Sequence, residues 1–167
     1  SDAVQCLGKI PIDVNDLCID FLSLSAHKFY GPKGIGILYY KNRDSLSSLM
    51  IGGSQERGFR AGTENIAAIA GMGLAAELAT RKLDHHVAEL KSFEAQFKSG
   101  LNTFFPNAIF NGDTDNKLPG LVNVSFPSHR SDILLAKLDR AGMAVSSGSA
   151  CGAGDVKPSG VLSEMGV

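Results

Sequence analysis

Leu17-Cys18-Ile19-Asp20-Phe21-Leu22-Ser23-Leu24 runs directly into Ser25-Ala26-His27-Lys28-Phe29-Tyr30-Gly31-Pro32-Lys33-Gly34-Ile35-Gly36. The first eight residues form a nearly continuous apolar run of strand length, bounded by polar residues. That pattern predicts a strand buried on both faces of an α/β sheet, with Cys18 inside it as core. Ile35 to Tyr40 reads as a second strand. The polar and glycine-rich residues between them therefore sit at the carboxyl end of a strand, where open α/β sheets bind ligands. A lysine there, partly desolvated and next to a histidine, is a candidate nucleophilic amine, because desolvation lowers its proton affinity. By spacing alone, a surface lysine in a turn is the plainer alternative. Gly31, Gly34 and Gly36 mimic a dinucleotide loop only in composition, since they precede a strand and not a helix.

Outward from this stretch the pattern turns helical. Ile66, Ile69, Ala70, Gly73, Leu74 and Leu78 recur at intervals of three and four, with Thr63 placed as N-cap and Glu64 in the first turn. Leu83, Val87, Leu90, Phe97, Leu101 and Phe104 continue as a second amphipathic stretch, giving one long bent helix or two in series. Ala108 to Asn111 reads as a short strand and Gly112 to Gly120 as a polar turn region. Val122, Val124 and Phe126 alternate with Asn123 and Ser125 as a half-buried strand. Ser131 and Asp132 open a helix that Gly142 stops after about Arg140, and Met143 to Val145 reads as one more short strand. It leads into Ser146 to Gly154, a small-residue loop holding Cys151, and Pro158 and Ser159 begin a last helix. A lobe boundary is expected near residue 84, separating 1–84 from 85–167.

The bulk properties narrow the function classes. The chain has 167 residues, 44% apolar and 20% charged, with net charge −1. Those values describe a globular chain, give no large basic footprint for nucleic acid, and leave no apolar run long enough to span a membrane. Cys6, Cys18 and Cys151 cannot all pair, and none has zinc-ligand spacing, so a reducing compartment and no structural metal are expected. The sequence has no start methionine, signal peptide or transit segment and reads as a piece of a longer protein. His85 and His86 lie on a charged helix face and read as solvated.

Four motifs resemble one family in its own order. Ser25-x-His27-Lys28-x-x-Gly31-Pro32-x-Gly34-x-Gly36 resembles the cofactor-lysine motif of the class V aminotransferases, in which the lysine binds pyridoxal phosphate covalently. Asp2-Ala3-Val4-Gln5 is similar to the family segment whose aspartate pairs with the pyridine nitrogen and whose glutamine meets the ring hydroxyl oxygen. Gly52-Gly53-x-Gln55-Glu56-Arg57-Gly58-x-Arg60-Ala61-Gly62-Thr63-Glu64-Asn65 resembles the loop that reaches across a dimer interface in cysteine desulfurases, its threonine contacting the partner's cofactor phosphate. Arg57 and Arg60 either assist electrostatically or hold that loop. Ser146-Ser147-Gly148-Ser149-Ala150-Cys151, with Pro158-Ser159-x-Val161-Leu162 beyond it, resembles the catalytic-cysteine loop of group I, NifS/IscS-like desulfurases.

The resemblance implies an internal fragment of a fold-type I enzyme, with part of the large α/β domain in 1–84 and part of the small α+β domain in 85–167. It implies pyridoxal 5'-phosphate held by Asp2, Gln5, Ser25, His27, Lys28 and Thr63. It also implies L-cysteine as substrate, catalysis by Lys28 and Cys151, a homodimer, a cytoplasmic location and a sulfur acceptor such as an iron-sulfur scaffold. A further phosphate-binding turn, a ring-stacking histidine and a carboxylate-binding arginine are implied outside these residues. Two alternatives stay open: another class V enzyme, such as a selenocysteine lyase or a transaminase-like protein, and a non-catalytic fragment.

Overall fold

A computed structural model describes residues 1–147 and 159–167. They form two compact units, Ser1–Ala95 with Leu118–Leu121, and Gln96–Lys117 with Val122–Val167.

The first unit is built on β1 (Phe21–Ser25) and β2 (Gly36–Tyr40), paired antiparallel from Phe21 opposite Tyr40 to Ser25 opposite Gly36. The first residues add a parallel third line. Asp2 bridges Ser23, the Ser23 N–H donates to Ser1 (3.1 Å), and the Ala3 N–H donates to the Ser23 carbonyl (3.0 Å). β1 is shorter than its apolar run predicts. Asp13 takes over the preceding backbone, its Oδ1 accepting from the Asn15 and Asp16 amides at 2.8 and 3.3 Å, and an Asx turn of this kind outcompetes strand pairing. The chain reaches Cys18 with φ of 51°, and Cys18 is exposed, not core. Burial on both faces is not found either. Leu22 is buried, while Phe21 at the start of β1 and Ile37 and Leu38 of β2 are exposed, because the described residues cover the sheet with a single layer.

That layer is α1 (Ile66–Arg81), followed in series by α2 (Leu83–Phe104), with Lys82 between them at φ −99° and ψ 7°. The face of α1 turned inward is the small-residue one. Ala68 and Met72 are buried, and Met72 joins Ala26 and Phe29 in the core, with Leu7, Leu24, Ile35, Ala75, Ala76 and Ala79 packed around them. The stripe whose spacing marks the helix in the sequence, Ile66, Ile69, Leu74 and Leu78, is exposed instead. Close approach explains the exchange. A side chain at Gly71 would place its Cβ 2.9 Å from Pro32 Cγ, so α1 meets the loop after Lys28 through residues too small to hold it off. The N-cap of α1 is Asn65 and not Thr63. Asn65 Oδ1 accepts from the Ala68 N–H (3.2 Å), which puts Thr63 and Glu64 ahead of the helix.

In the second unit β3 (Ile109–Asn111) pairs antiparallel with β4 (Asn123–Ser125), and Phe105 meets Phe126 edge to face at 6.0 Å. α3 (Ser131–Arg140) ends where Gly142 takes φ of 78°. Met143 then folds back, its N–H donating to the Leu138 carbonyl (2.9 Å) as part of the helix terminus, so the strand expected over 143–145 is not formed. α4 (Gly160–Glu164) is capped by Ser159.

Candidate active site at the end of β1

β1 delivers the chain into one turn of 3-10 helix, Ala26–Phe29, which Tyr30 closes in the left-handed region at φ 66°. Residues three apart share a face in such a turn, so Ala26 and Phe29 anchor it in the core while His27 and Lys28 stand between them on the outside. The Ala26 N–H donates to the Ile35 carbonyl (3.1 Å) and the Gly31 N–H returns to the Ala26 carbonyl (2.8 Å), so the loop is pinned at both ends.

On this pinned turn Ser25 Oγ and His27 Nδ1 form a 2.9 Å hydrogen bond, a hydroxyl and an imidazole presented together. Asp2 lies beside the same strand, its Oδ1 accepting from the Val4 N–H at 3.0 Å and lying 3.4 Å from Ser23 Oγ. Gln5 follows on the next turn, with Oε1 accepting from Lys9 Nζ at 3.2 Å. Lys28 is exposed; the partial desolvation expected for it is not found, because nothing among the described residues covers the outer side of the turn. Ser25, His27 and Lys28 thus follow one another at the carboxyl end of β1, and Asp2 lies beside Ser23 in the middle of the same strand. Thr63 stands apart from them, exposed in the segment that enters α1. Cys151 and most of its loop lie outside the described residues.

Arg57 and Arg60 lie in the loop leading to Thr63. Arg60 Nη1 donates to the Ala61 carbonyl at 2.9 Å, a loop-holding contact. Arg57 contributes its carbonyl, which accepts from Arg43 Nη2 at 3.1 Å. Arg43, Tyr40 and Phe59 carry no signal in the sequence, since their contacts join segments separated by 14 residues or more. Among the described residues no three His, Cys, Asp or Glu side chains converge to hold a metal ion, and no helix is long and apolar enough to cross a membrane.

This arrangement can be set beside known proteins. Residues 1–165 match the model of the class V aminotransferases. The chain belongs to the class V aminotransferase family. It is 42% identical over 167 residues to cysteine desulfurase NifS of Azotobacter vinelandii, covering all of this chain and 42% of that protein. It is 47% identical over 165 residues to a putative cysteine desulfurase, IscS 1, of Bacillus subtilis, covering 99% of this chain and 44% of that protein. The chain thus spans less than half the length of these curated relatives. Among solved structures, a NifS-like protein from Rickettsia africae superposes with a TM-score of 0.86 at 32% identity, over 99% of this chain and 43% of that one. SspA in complex with cysteine gives 0.70 at 36% identity, over 99% of this chain and 45% of that one. The fold is α/β, that of the NifS-like members of the family over the part they share with this chain.

Proposed function

We propose that the protein carrying this chain is a pyridoxal phosphate-dependent cysteine desulfurase, converting L-cysteine to L-alanine and leaving the sulfur as a persulfide on Cys151. The observation that carries the reading is the hydrogen-bonded Ser25 and His27 with Lys28 at the carboxyl end of β1, and Asp2 bridged to Ser23 of the same strand. The donor set fits the cofactor: a carboxylate for a ring nitrogen, an amine for an aldehyde, and a hydroxyl with an imidazole for a phosphate. When bound, the cofactor supplies an electron sink for charge developing at the substrate α-carbon.

In this reading Lys28 holds the cofactor and then moves protons as acid and base. Asp2 keeps the ring nitrogen protonated through a charge-assisted hydrogen bond, Gln5 meets the ring hydroxyl oxygen, and Ser25 and His27 bind the phosphate. Thr63 adds a hydroxyl to the phosphate of a second subunit in a homodimer. Cys151 attacks the substrate sulfur as a thiolate. A large domain over 1–84, a small domain over 85–167, a cytoplasmic location and a sulfur acceptor such as an iron-sulfur scaffold complete the proposal. The relatives named desulfurases and the cysteine complex of SspA support it.

The test uses the intact protein. Reduction with borohydride in the presence of pyridoxal phosphate is expected to fix the cofactor on Lys28, located by peptide mass mapping. Cys151→Ser is expected to keep that adduct while persulfide formation and alanine release fall to background. A Cys151→Ser protein that still releases alanine from cysteine refutes the desulfurase assignment.

A further inference from the structure

One side-chain assembly ties the sheet to the loop that ends at Thr63. Arg43 lies just beyond β2, its Nη2 donates to the Arg57 carbonyl (3.1 Å), and its guanidinium carbon sits 5.1 Å from the centroid of the Phe59 ring. Tyr40, the last residue of β2, meets the same ring at 5.3 Å with the planes tilted by 56°. Farther along, the Ala61 N–H donates to the Met50 carbonyl and the Gly62 N–H to Gln55 Oε1, both at 3.2 Å. The backbone from Gln55 to Gly62 is thus fastened at both ends, and Thr63 is the next residue.

The fastening falls where the chain resists its shape. Glu56 and Arg57 take φ of 49° and 58°, a left-handed pair that side-chain-bearing residues adopt only when their surroundings enforce it. Arg43 bonds the carbonyl of the second of them and stacks on the ring two residues on. Only a planar guanidinium can do both, because an ammonium has no flat face to lay on the ring while donating sideways.

We propose that Arg43 is a positioning residue, which clamps the Arg57 carbonyl and the Phe59 ring and so sets where Thr63 is presented to a phosphate group. The inference rests on the reading of Thr63 given above and assigns Arg43 no contact with the ligand. In the intact protein, Arg43→Ala is expected to weaken pyridoxal phosphate about fivefold while leaving the affinity for pyridoxal, which lacks the phosphate, unchanged. Amide exchange at Gly58, Ala61 and Gly62 is expected to quicken in the cofactor-free variant. Arg43→Lys should behave like Arg43→Ala.

Equal weakening of both ligands means a general structural role and overturns the proposal, as does no change in either. Should Arg43→Ala fail to fold, Phe59→Leu removes the ring alone and carries the same two titrations. Thr63→Ala distinguishes a failure of the Arg43 role from a failure of the Thr63 role. If it loses the preference for the phosphorylated ligand and Arg43→Ala does not, the positioning role alone fails. If Thr63→Ala keeps that preference, the reading of Thr63 fails and the positioning role goes with it.

Discussion

Gly36 has no room for a side chain. It lies opposite Ser25, and a Cβ there would stand 2.7 Å from the Leu24 carbonyl oxygen, a backbone atom that cannot rotate away. Gly36→Ala is therefore expected to push β2 from β1 beside the lysine turn, at a cost of about 1–3 kcal/mol, read as a lower urea midpoint with an unchanged slope. Asp113 is exposed in the turn after β3. Its carboxylate accepts from the Asn116 and Asp115 amides at 2.9 and 2.7 Å and from the Asn116 side chain at 3.2 Å. The backbone hydrogen bonds from Asn116 and Asp115, then the Asn116 side chain, hold its carboxyl below the ordinary aspartate value. The folded form thus binds its proton less readily than the unfolded chain. Its contribution is present above the unfolded value and is lost as pH falls through the depressed folded one. An NMR titration should show the Asp113 carboxyl midpoint below that of the same residue in a short peptide, with the Asp115 and Asn116 amides shifting at the same pH.

Helix α1 takes its N-cap from Asn65 and not from Thr63. Because Asn65 caps the helix, Thr63 is free of that duty. Asn65→Ala is expected to cost about 1 kcal/mol of stability. Thr63→Ala should cost close to nothing in the same denaturation experiment, and a loss equal to that of Asn65→Ala would return Thr63 to a capping role. The opposite faces of α1 carry a related lesson. Periodicity marks Ile66, Ile69, Leu74 and Leu78 as readily as it marks Ala68, Met72, Ala75 and Ala79, since the helix is apolar nearly all round. The smaller face was chosen by the loop that Pro32 brings against Gly71, a contact spanning 39 residues that no local spacing encodes.

For the molecule as a whole, the balance of covered and uncovered apolar surface stands out. Among the described residues six apolar ones are buried, whereas Leu49, Ile51, Ile66, Leu74, Phe97 and Phe104 are among many large ones left exposed. Exposed apolar surface of this extent favours association. The 167-residue chain by itself is accordingly expected to self-associate, with a weight-average mass in sedimentation equilibrium that rises with concentration and falls on adding mild urea. A mass that stays at the 17.6 kDa of one chain across the concentration range would contradict this.

What could be read from the residues alone is what depends on near neighbours. The two strands around the lysine turn, α3 from Ser131 to Arg140 with its stop at Gly142, and the start of the last helix at Ser159 follow from periods, turn formers and cap residues a few positions apart. Motif order carried the family as well, because the spacing of Ser25, His27 and Lys28 reflects a turn closed by local backbone bonds. The contacts that remained hidden join distant segments. Asp2 meets β1 through a bridge to Ser23, Arg43 reaches Arg57 and Phe59 across a loop, and α1 turns its small face inward. In each case competing local preferences are nearly equal in energy, and packing or hydrogen bonding against the rest of the chain breaks the tie.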